Sequence, residues 1–300
     1  VMLFFPSGAV GALSRLWRPA SRVARESEAR GGAGEPLPMS ALVLSASGAP
    51  ILELQGVTKS YAGVVAVSDV SIRVMPGTVH AVIGPNGAGK STLINVLSGL
   101  YSANSGSIRF EGLDIAGLAP HRRAALGLTR TFQNLQLIGT LTVAENVMLG
   151  LQRKRGLLSG WLRWLVSDAE EREDREEAMR LLRFFNIERF ADALPGDLAY
   201  GHRKLCELAR ALAQQPKMLL LDEPIAGLNE SEAREIMSKI LSLKALGVTI
   251  LLVEHNMTFV MELSDTISVL DYGKKIAEGS PAEIQANELV IKAYLVAEVA

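Results

Sequence analysis

The 300-residue chain has very little of three things: cysteine, excess charge and long apolar runs. Its one cysteine, Cys206, cannot form a disulfide within the chain, which predicts a reducing compartment. The residue falls on an apolar helical face, which predicts a role in the core. A net charge of -1 gives no general basic field, so nucleic acid is not expected as a partner. No stretch reaches the roughly 18 to 20 apolar residues of a membrane-spanning helix, which predicts that any membrane association is peripheral or through a partner.

The composition is otherwise that of a globular protein with a sizeable core. Hydrophobic residues make up 48% of the chain and charged residues 21%. The length fits either one α/β domain with an inserted subdomain or two separate domains. The order of the predicted elements has to decide between these two arrangements.

The stretch 84–92 carries the most specific pattern in the chain. It reads G-x-x-x-x-G-K-S, the phosphate-binding loop pattern, in which glycines let the backbone wrap closely around a polyphosphate. Lys90 would place its charge on the β- and γ-phosphates, and the Ser91 hydroxyl would be a ligand of Mg²⁺. The residues predicted to bind the nucleotide here are Gly84, Pro85, Asn86, Gly87, Ala88, Gly89, Lys90, Ser91 and Thr92.

The sequence around this loop has the required order of strand, loop and helix. The run from Val79 to Ile83 is short and apolar, as in a buried β-strand. After the loop, apolar residues recur at helical spacing from Leu93 to Leu97 and stop before Gly99. This context favours a nucleotide site over an ordinary glycine-rich turn.

A second candidate site lies at the end of the apolar run from Met218 to Leu221, where Asp222 and Glu223 follow directly. A carboxylate at the end of a buried strand beside the loop can hold Mg²⁺ directly or through water, and a second one can orient or deprotonate an attacking water. We assign the metal role to Asp222 and the role of general base to Glu223.

The order of predicted elements indicates an α/β protein. Short β-type runs from Ile51 predict an antiparallel layer beside the nucleotide core. From Met218 onward strands and helices alternate, which predicts a mostly parallel sheet covered on both faces. We predict that the core spans 51–132 and 216–300. The predicted strands are 70–74, 79–83, 107–112, 218–221, 248–253 and 266–270, and the predicted helices of the last third are 230–246 and 257–263.

The stretch 133–215 is predicted to be an inserted helical subdomain, within a helix-rich region that begins at about residue 120. Thr142 and Glu145 have capping-box spacing. The acidic stretch 168–177 reads as the solvated face of a helix. The stretch 156–165, which has two tryptophans among leucines, fits apolar packing better than a surface for a membrane or a partner.

The first 50 residues stand apart, with a short apolar start, scattered arginines and a glycine-rich stretch before Pro36. Positive charge does not precede the apolar run, as it would in a secretory signal, and acidic residues disfavour a transit peptide. We predict that residues 1–50 are a disordered extension or a non-native start, the real start then lying near Met39.

Taken in order, the motifs resemble the ATP-binding subunits of ABC transporters, and the resemblance covers residues 51–295. Residues 131–134 are similar to the family's Q-loop, and 198–202 lie where its signature motif belongs. Residues 226–229 are similar to the D-loop, and 253–256 to the switch segment. The stretches that resemble the LivG-type, branched-chain amino acid importer subgroup are 142–147, 156–158, 226–229 and 291–295.

This resemblance implies roles for further residues. Gln133 would sense Mg²⁺ and water and face the membrane partner, His255 would contact the γ-phosphate, and Tyr61 would stack on adenine. Ala199, Tyr200 and Gly201 of the signature would face the ATP held by a second cassette. The catalytic set would then be Glu223, His255 and Gln133, and the metal set Ser91, Gln133 and Asp222.

The signature departs from the common Leu-Ser-Gly-Gly-Gln. Ala199 replaces the serine, Tyr200 the first glycine and His202 the glutamine, while Gly201 is kept. A helix predicted to start here can still direct backbone N–H groups and its positive end at an anion. One hydrogen bond to a charged oxygen is worth about 1.5 to 3 kcal/mol, so its loss is expected to slow or weaken this half-site without necessarily abolishing it.

The resemblance also implies a P-loop NTPase (RecA-like) core that uses ATP and Mg²⁺. The chain would pair with a second ABC ATPase subunit and two integral-membrane permease subunits at the cytoplasmic face of the bacterial inner membrane, and a periplasmic solute-binding protein would deliver the cargo. That cargo would be branched-chain or related amino acids.

Three alternatives stay open at this stage. The importer could carry urea or another small solute, because the cassette does not touch the cargo. The chain could bind ATP while its partner hydrolyses it, which the alanine at position 199 suggests. A non-transport ABC ATPase that acts on ribosomes or DNA would usually show two cassettes or a long coiled coil, and the sequence has neither.

Overall fold

A computed structural model describes residues 48–131, 135–151 and 168–297. The predictions for residues 1–47, for the tryptophan-bearing stretch 156–165 and for Gln133 lie outside the described residues. The strands are β1 (Leu52–Tyr61), β2 (Val64–Val74), β3 (Val79–Ile83), β4 (Ser105–Phe110), β5 (Leu113–Asp114), β6 (Leu128–Arg130), β7 (Met218–Asp222), β8 (Thr249–Val253), β9 (Thr266–Asp271) and β10 (Lys274–Gly279). The α-helices are α1 (Lys90–Leu97), α2 (Pro120–Leu126), α3 (Val143–Leu151), α4 (Asp168–Phe184), α5 (Tyr200–Ala213), α6 (Glu230–Ala245), α7 (Met257–Leu263), α8 (Pro281–Gln285) and α9 (Glu288–Ala297).

The strands form two sheets. The smaller sheet has the order β2-β1-β4-β5 and is antiparallel throughout. The larger sheet has the order β10-β9-β3-β8-β7-β6, with parallel pairing from β9 to β6 and β10 antiparallel at one edge. The predicted fold class, an α/β core with an antiparallel layer and a mostly parallel sheet, is confirmed.

Strand β7 shows how the layers share one sheet. Leu219 and Leu221 belong to a core cluster with the apolar faces of α3, α4 and α5. Met218 and Leu220 belong to a second cluster, with α1 and the antiparallel sheet. All five residues of the strand are buried. A strand covered on both faces reads as a continuous apolar run, and this is why the sequence located β7 within one residue.

Several smaller predictions are confirmed by the described residues. The Thr142 amide donates to Glu145 Oε2 at 2.7 Å and the Glu145 amide donates to Thr142 Oγ1 at 3.2 Å, so the capping box forms. Most of the acidic residues 170–177 on α4 are exposed. Cys206 is fully buried, and burial raises the pKa of its thiol to about 12, as fits a core residue.

Other boundaries were wrong. Strand β2 begins at Val64, six residues before the predicted start, because its first half is largely exposed and has no clean apolar alternation. The predicted strand 107–112 is β4, which ends at Phe110, since Glu111 has a φ of 49° in the following turn. The region predicted to be helical from residue 120 contains β6, a three-residue strand paired with β7.

No helix in 48–131, 135–151 or 168–297 combines the length and the apolar character that a bilayer crossing requires.

Arg123 fixes the far end of the helix that follows the loop. The side chain is 2% exposed, and Nη1 donates to the carbonyls of Val96 (2.7 Å) and Leu97 (2.8 Å) at the end of α1. Its Nε and Nη2 donate to the carbonyls of Leu118 (2.9 Å) and Ala116 (3.0 Å). One guanidinium therefore satisfies carbonyls from two segments, including those left open where a helix ends.

We expect Arg123→Met to lower the free energy of unfolding by about 2 to 3 kcal/mol, because buried carbonyl oxygens would lose their donors. Denaturant titration of the purified chain measures this. Arg122→Met is the matched control, since Arg122 is exposed on the same helix and its loss should change stability by less than about 0.5 kcal/mol. Equal stability of the two variants would contradict a structural role for Arg123.

Candidate functional site

The loop predicted to hold phosphates connects β3 to α1 and leaves no room for side chains at two glycines. Gly84 and Gly89 have φ values of 150° and 98°. A Cβ on Gly84 would lie 2.1 Å from the Leu270 carbonyl oxygen, and one on Gly89 would lie 2.3 Å from that of Ala66. The loop thus packs closely on the larger sheet and on β2, with the first turn of α1 directly behind it, and a helix start of this kind attracts anions.

Lys90 is the first residue of α1 and is 8% exposed. Its Nζ donates to the carbonyls of Gly84 at 2.6 Å and Pro85 at 2.9 Å, so the side chain folds back along the loop. Burial lowers the pKa of Lys90, and the charges of Glu223 and Asp222 oppose that shift. The loop and the end of β7 thus share one electrostatic environment.

Asp222 is the last residue of β7, and its side chain is 5% exposed. Arg130 Nη2 donates to Asp222 Oδ2 at 2.8 Å. Its Nη1 donates to Asn95 Oδ1 on α1 at 2.7 Å and to Oγ of Ser98, the C-cap residue of that helix, at 2.9 Å. Burial raises the pKa of Asp222, and the neighbouring guanidinium opposes this rise. Arg130 therefore links the carboxylate to the helix of the loop.

The sequence reasoning missed Arg130. An arginine in the short run from Leu128 to Arg130 was the available signal, because a charged side chain next to apolar residues is costly unless it is paired. Its partner Asp222 lies 92 residues further along the chain, so the sequence alone could not identify the pair.

Glu223 and His255 lie together after the ends of two neighbouring strands. Asp222 pairs with Val253 across β7 and β8, and the Glu223 amide donates to the Val253 carbonyl at 2.9 Å. Glu223 Oε1 lies 3.8 Å from His255 Nδ1. Glu223 has a φ of 47°, a strained value for a residue with a side chain, and such strain concentrates at functional sites.

Tyr61 is the last residue of β1 and remains 38% exposed. The ring of Tyr101 contacts it edge to face with centroids 5.5 Å apart, and Lys59 Nζ lies 4.9 Å from the centroid of the Tyr61 ring. These neighbours fix the orientation of an aromatic ring at the surface. Sequence reasoning singled out Tyr61 but missed its two supports.

The signature residues begin helix α5, whose first residue is Tyr200. Ala199 is the N-cap residue and has no side-chain acceptor, so the first N–H groups of α5 receive no side-chain cap from it. A Cβ on Gly227 would lie 3.4 Å from the Tyr200 ring, and one on Gly201 would lie 2.8 Å from Glu232 Oε1. The signature therefore lies close to the stretch that resembles the D-loop and to the first turn of α6.

The ring of His202 lies 4.7 Å from that of Phe190 in a tilted arrangement. This contact gives the unusual histidine a packing role.

The residues around the loop fit a magnesium nucleotide. Ser91 is exposed in the first turn of α1, and Asp222 lies close enough to Lys90 to influence its pKa. Hydroxyl and carboxylate oxygens are ligands that Mg²⁺ prefers, and it usually takes its remaining ligands from water and phosphates. The described part of the chain holds no group of three or more His, Cys, Asp or Glu side chains that could hold a metal ion.

Comparison with known proteins agrees with this geometry. The family model described as "ABC transporter" matches residues 67–226, and the model described as "Branched-chain amino acid ATP-binding cassette transporter" matches residues 274–295. The high-affinity branched-chain amino acid transport ATP-binding protein BraF of Pseudomonas aeruginosa is 41% identical over 249 residues, which cover 82% of this chain and 98% of BraF. The LivG protein of Escherichia coli K12 is 37% identical, with the same coverage of both chains.

Solved structures show the same fold. A nucleotide-free ATP-binding cassette from an ABC transporter superposes with a TM-score of 0.72 at 35% identity, covering 82% of this chain and 98% of that one. A dimeric ATP-binding cassette in a post-hydrolysis state, bound to ADP and Pi, has a TM-score of 0.66 at 27% identity, covering 77% and 98%. The chain therefore belongs to the ABC transporter family as an ATP-binding, ATPase cassette, in the group of the branched-chain amino acid transport ATP-binding proteins.

Proposed function

We propose that this chain is the ATP-hydrolysing subunit of an importer for branched-chain or related amino acids. The observation that carries the proposal is the position of Asp222, Glu223 and His255 at the carboxyl ends of the adjacent strands β7 and β8, where β3 also ends and leads through the loop to Lys90. Ligands of open α/β sheets bind at this edge. The substrate class is taken from the relatives, which are named as branched-chain amino acid transport proteins.

In the proposed mechanism the loop amides and Lys90 hold the β- and γ-phosphates of ATP, and Tyr61 stacks on the adenine. Mg²⁺, held by Ser91, Asp222 and Gln133, would neutralise charge on the phosphates. Glu223 takes a proton from the attacking water, so that the new bond to the γ-phosphorus forms as the bond to the ADP oxygen breaks. His255 contacts the γ-phosphate.

The proposed assembly contains two cassettes, since one chain supplies only part of each ATP site. Ala199, Tyr200 and Gly201 would face the ATP bound at the loop of the second cassette, with backbone N–H groups at the start of α5 as the donors. Two integral-membrane permease subunits would bind the pair at the cytoplasmic face of the inner membrane, and a periplasmic solute-binding protein would bring the cargo.

Uptake by the reconstituted transporter tests the proposal. The chain, its second cassette and the two permease subunits are placed in liposomes loaded with ATP and Mg²⁺, and the solute-binding protein is added outside with labelled leucine, isoleucine, valine or urea. We expect uptake of at least one of the three amino acids that requires enclosed ATP, with urea at background. Uptake of urea alone would show that urea, and not an amino acid, is the cargo. Amino acid uptake without enclosed ATP would contradict the proposed ATP-driven transport.

A further inference from the structure

Glu254 is a buried carboxylate that the proposed mechanism does not use. It lies between β8 and His255, and its side chain has no exposed surface. Glu254 Oε2 is 3.8 Å from His255 Nδ1, the same separation as between that nitrogen and Glu223 Oε1. Lys204 of the signature helix α5 is also buried, and the negative charge of Glu254 is among those that act on it.

The two oxygens of Glu254 hold two different segments. Oε1 accepts a hydrogen bond from the Ile225 amide at 3.3 Å, in the segment that follows Glu223. Oε2 accepts from the amides of His255 at 3.0 Å and Asn256 at 3.4 Å. One side chain therefore bridges the backbone after the candidate general base and the backbone of the candidate switch histidine.

The first of these segments also reaches the signature. Gly227 lies two residues after Ile225, and a Cβ added to it would lie 3.4 Å from the Tyr200 ring. Tyr200 therefore lies beside the segment 225–227, whose Ile225 amide donates to Glu254, and Glu254 in turn accepts from the His255 amide. Under the proposed function, Tyr200 faces the ATP of the second cassette, while His255 faces the ATP of this chain.

Burying a carboxylate is costly unless its oxygens are well supplied with donors. Burial raises the pKa of Glu254, and the three backbone amides and His255 oppose the rise. An apolar residue would avoid the cost of burial but could not accept from either segment. The bridge between the two segments therefore accounts for a glutamate at this buried position.

We propose that Glu254 is a positioning residue that couples segment 225–229 to His255, so that the state of the signature surface sets the position of the switch histidine. The inference rests on the proposed function. It adds a connection within one chain between the surface for the second ATP and the site for the first. Coupling of this kind is established by energetic non-additivity and not by contact alone.

Glutamine is the informative replacement for Glu254 because it keeps the volume of the side chain. Its amide has one oxygen that can accept a hydrogen bond, whereas the carboxylate has two. The NH₂ group of glutamine would face a backbone N–H donor, so one of the two segments would lose its link. We expect Glu254→Gln to lower single-turnover ATP hydrolysis by the assembled transporter about 10-fold to 100-fold, as misplacement of a reacting group does, with ATP affinity within about twofold of wild type.

A double-mutant cycle with His255→Ala separates coupling from general damage. If Glu254 acts through His255, adding Glu254→Gln to His255→Ala should change the single-turnover rate by less than about twofold. Glu283→Gln is the matched control, since Glu283 accepts from the Ser280 amide and hydroxyl at the start of its own helix α8, and it should leave the rate unchanged. Should Glu254→Gln fail to fold, Glu254→Asp enters the same cycle, because the shorter side chain also loses one segment.

Full additivity in the cycle, a Glu254→Gln rate within twofold of wild type, or an equal loss of rate and ATP affinity would each overturn the inference. The proposed function has its own criterion in the same experiment. Absence of hydrolysis by the wild-type transporter would refute that function, whereas normal wild-type hydrolysis with an additive cycle would refute the role of Glu254 alone.

Discussion

Replacing Lys90 with alanine is expected to raise the dissociation constant for ATP by about 100-fold to 10,000-fold. Lys90 Nζ is buried in the loop and donates to the carbonyls of Gly84 and Pro85. Directed at phosphate oxygens, it would make charge-assisted hydrogen bonds worth about 1.5 to 3 kcal/mol each, and about 1.4 kcal/mol corresponds to a factor of ten in affinity. Two such bonds give the expected loss.

Calorimetric titration with MgATP measures this directly, and thermal unfolding gives a second readout. A ligand that binds the folded chain stabilises it by RT ln(1 + [L]/Kd), so the stabilisation by MgATP seen in wild type should disappear in Lys90→Ala. Lys217→Ala is the control, since Lys217 is a surface lysine paired with Glu111. If the Kd of Lys90→Ala for MgATP lay within about threefold of the wild-type value, the loop 84–92 would not be the main phosphate-binding site.

Replacing Glu223 with glutamine is expected to lower the rate of ATP hydrolysis by about 100-fold to 10,000-fold, the usual contribution of a general base. Glutamine keeps the length and volume of the side chain but cannot accept the proton of water. Both residues face the same backbone strain at a φ of 47°, so the substitution isolates the carboxylate. ATP should still bind, because the loop and Lys90 are unchanged, and the cassette pair should stall in its closed, ATP-bound state.

Steady-state phosphate release and gel filtration in the presence of MgATP test this pair of expectations. The variant should elute as a stable cassette pair that retains ATP, whereas wild type should turn over. Glu230→Gln serves as control, because Glu230 is exposed on α6 and pairs only with Arg234 among the contacts that the structure gives it. Normal turnover by Glu223→Gln beside a competent partner would exclude Glu223 as the base.

The parts of the site that the sequence predicted are those with local signatures. The loop 84–92 follows a buried strand and precedes an amphipathic helix, and Asp222 and Glu223 end an apolar run, so the neighbours of each group in sequence reveal its context. The structure then brings Lys90, Glu223 and His255 together because β3, β8 and β7 are parallel and adjacent. The roles of these residues stay predictions until they are measured.

The parts that the sequence did not predict depend on contacts between distant residues or on weak patterns. Arg130 pairs with Asp222 across 92 residues, and Glu254 meets Ile225 across 29. Strand β10 was missed because an edge strand with charged residues lacks the apolar run of a central one. Tyr294 was noted only as part of the stretch that ends the resemblance. The structure packs it on the core cluster beneath α8 and α9 and places it near the Gly84 backbone.

Hydrolysis of the ATP bound at this chain's own loop tests the central claim most directly. In the assembled transporter, one labelled ATP is bound at that loop and phosphate release is followed through a single turnover, for wild type and for Glu223→Gln. The account predicts release of phosphate by wild type and retention of intact ATP by the variant. Retention of intact ATP by wild type, with hydrolysis at the second cassette alone, would contradict it and make this chain a binding-only subunit.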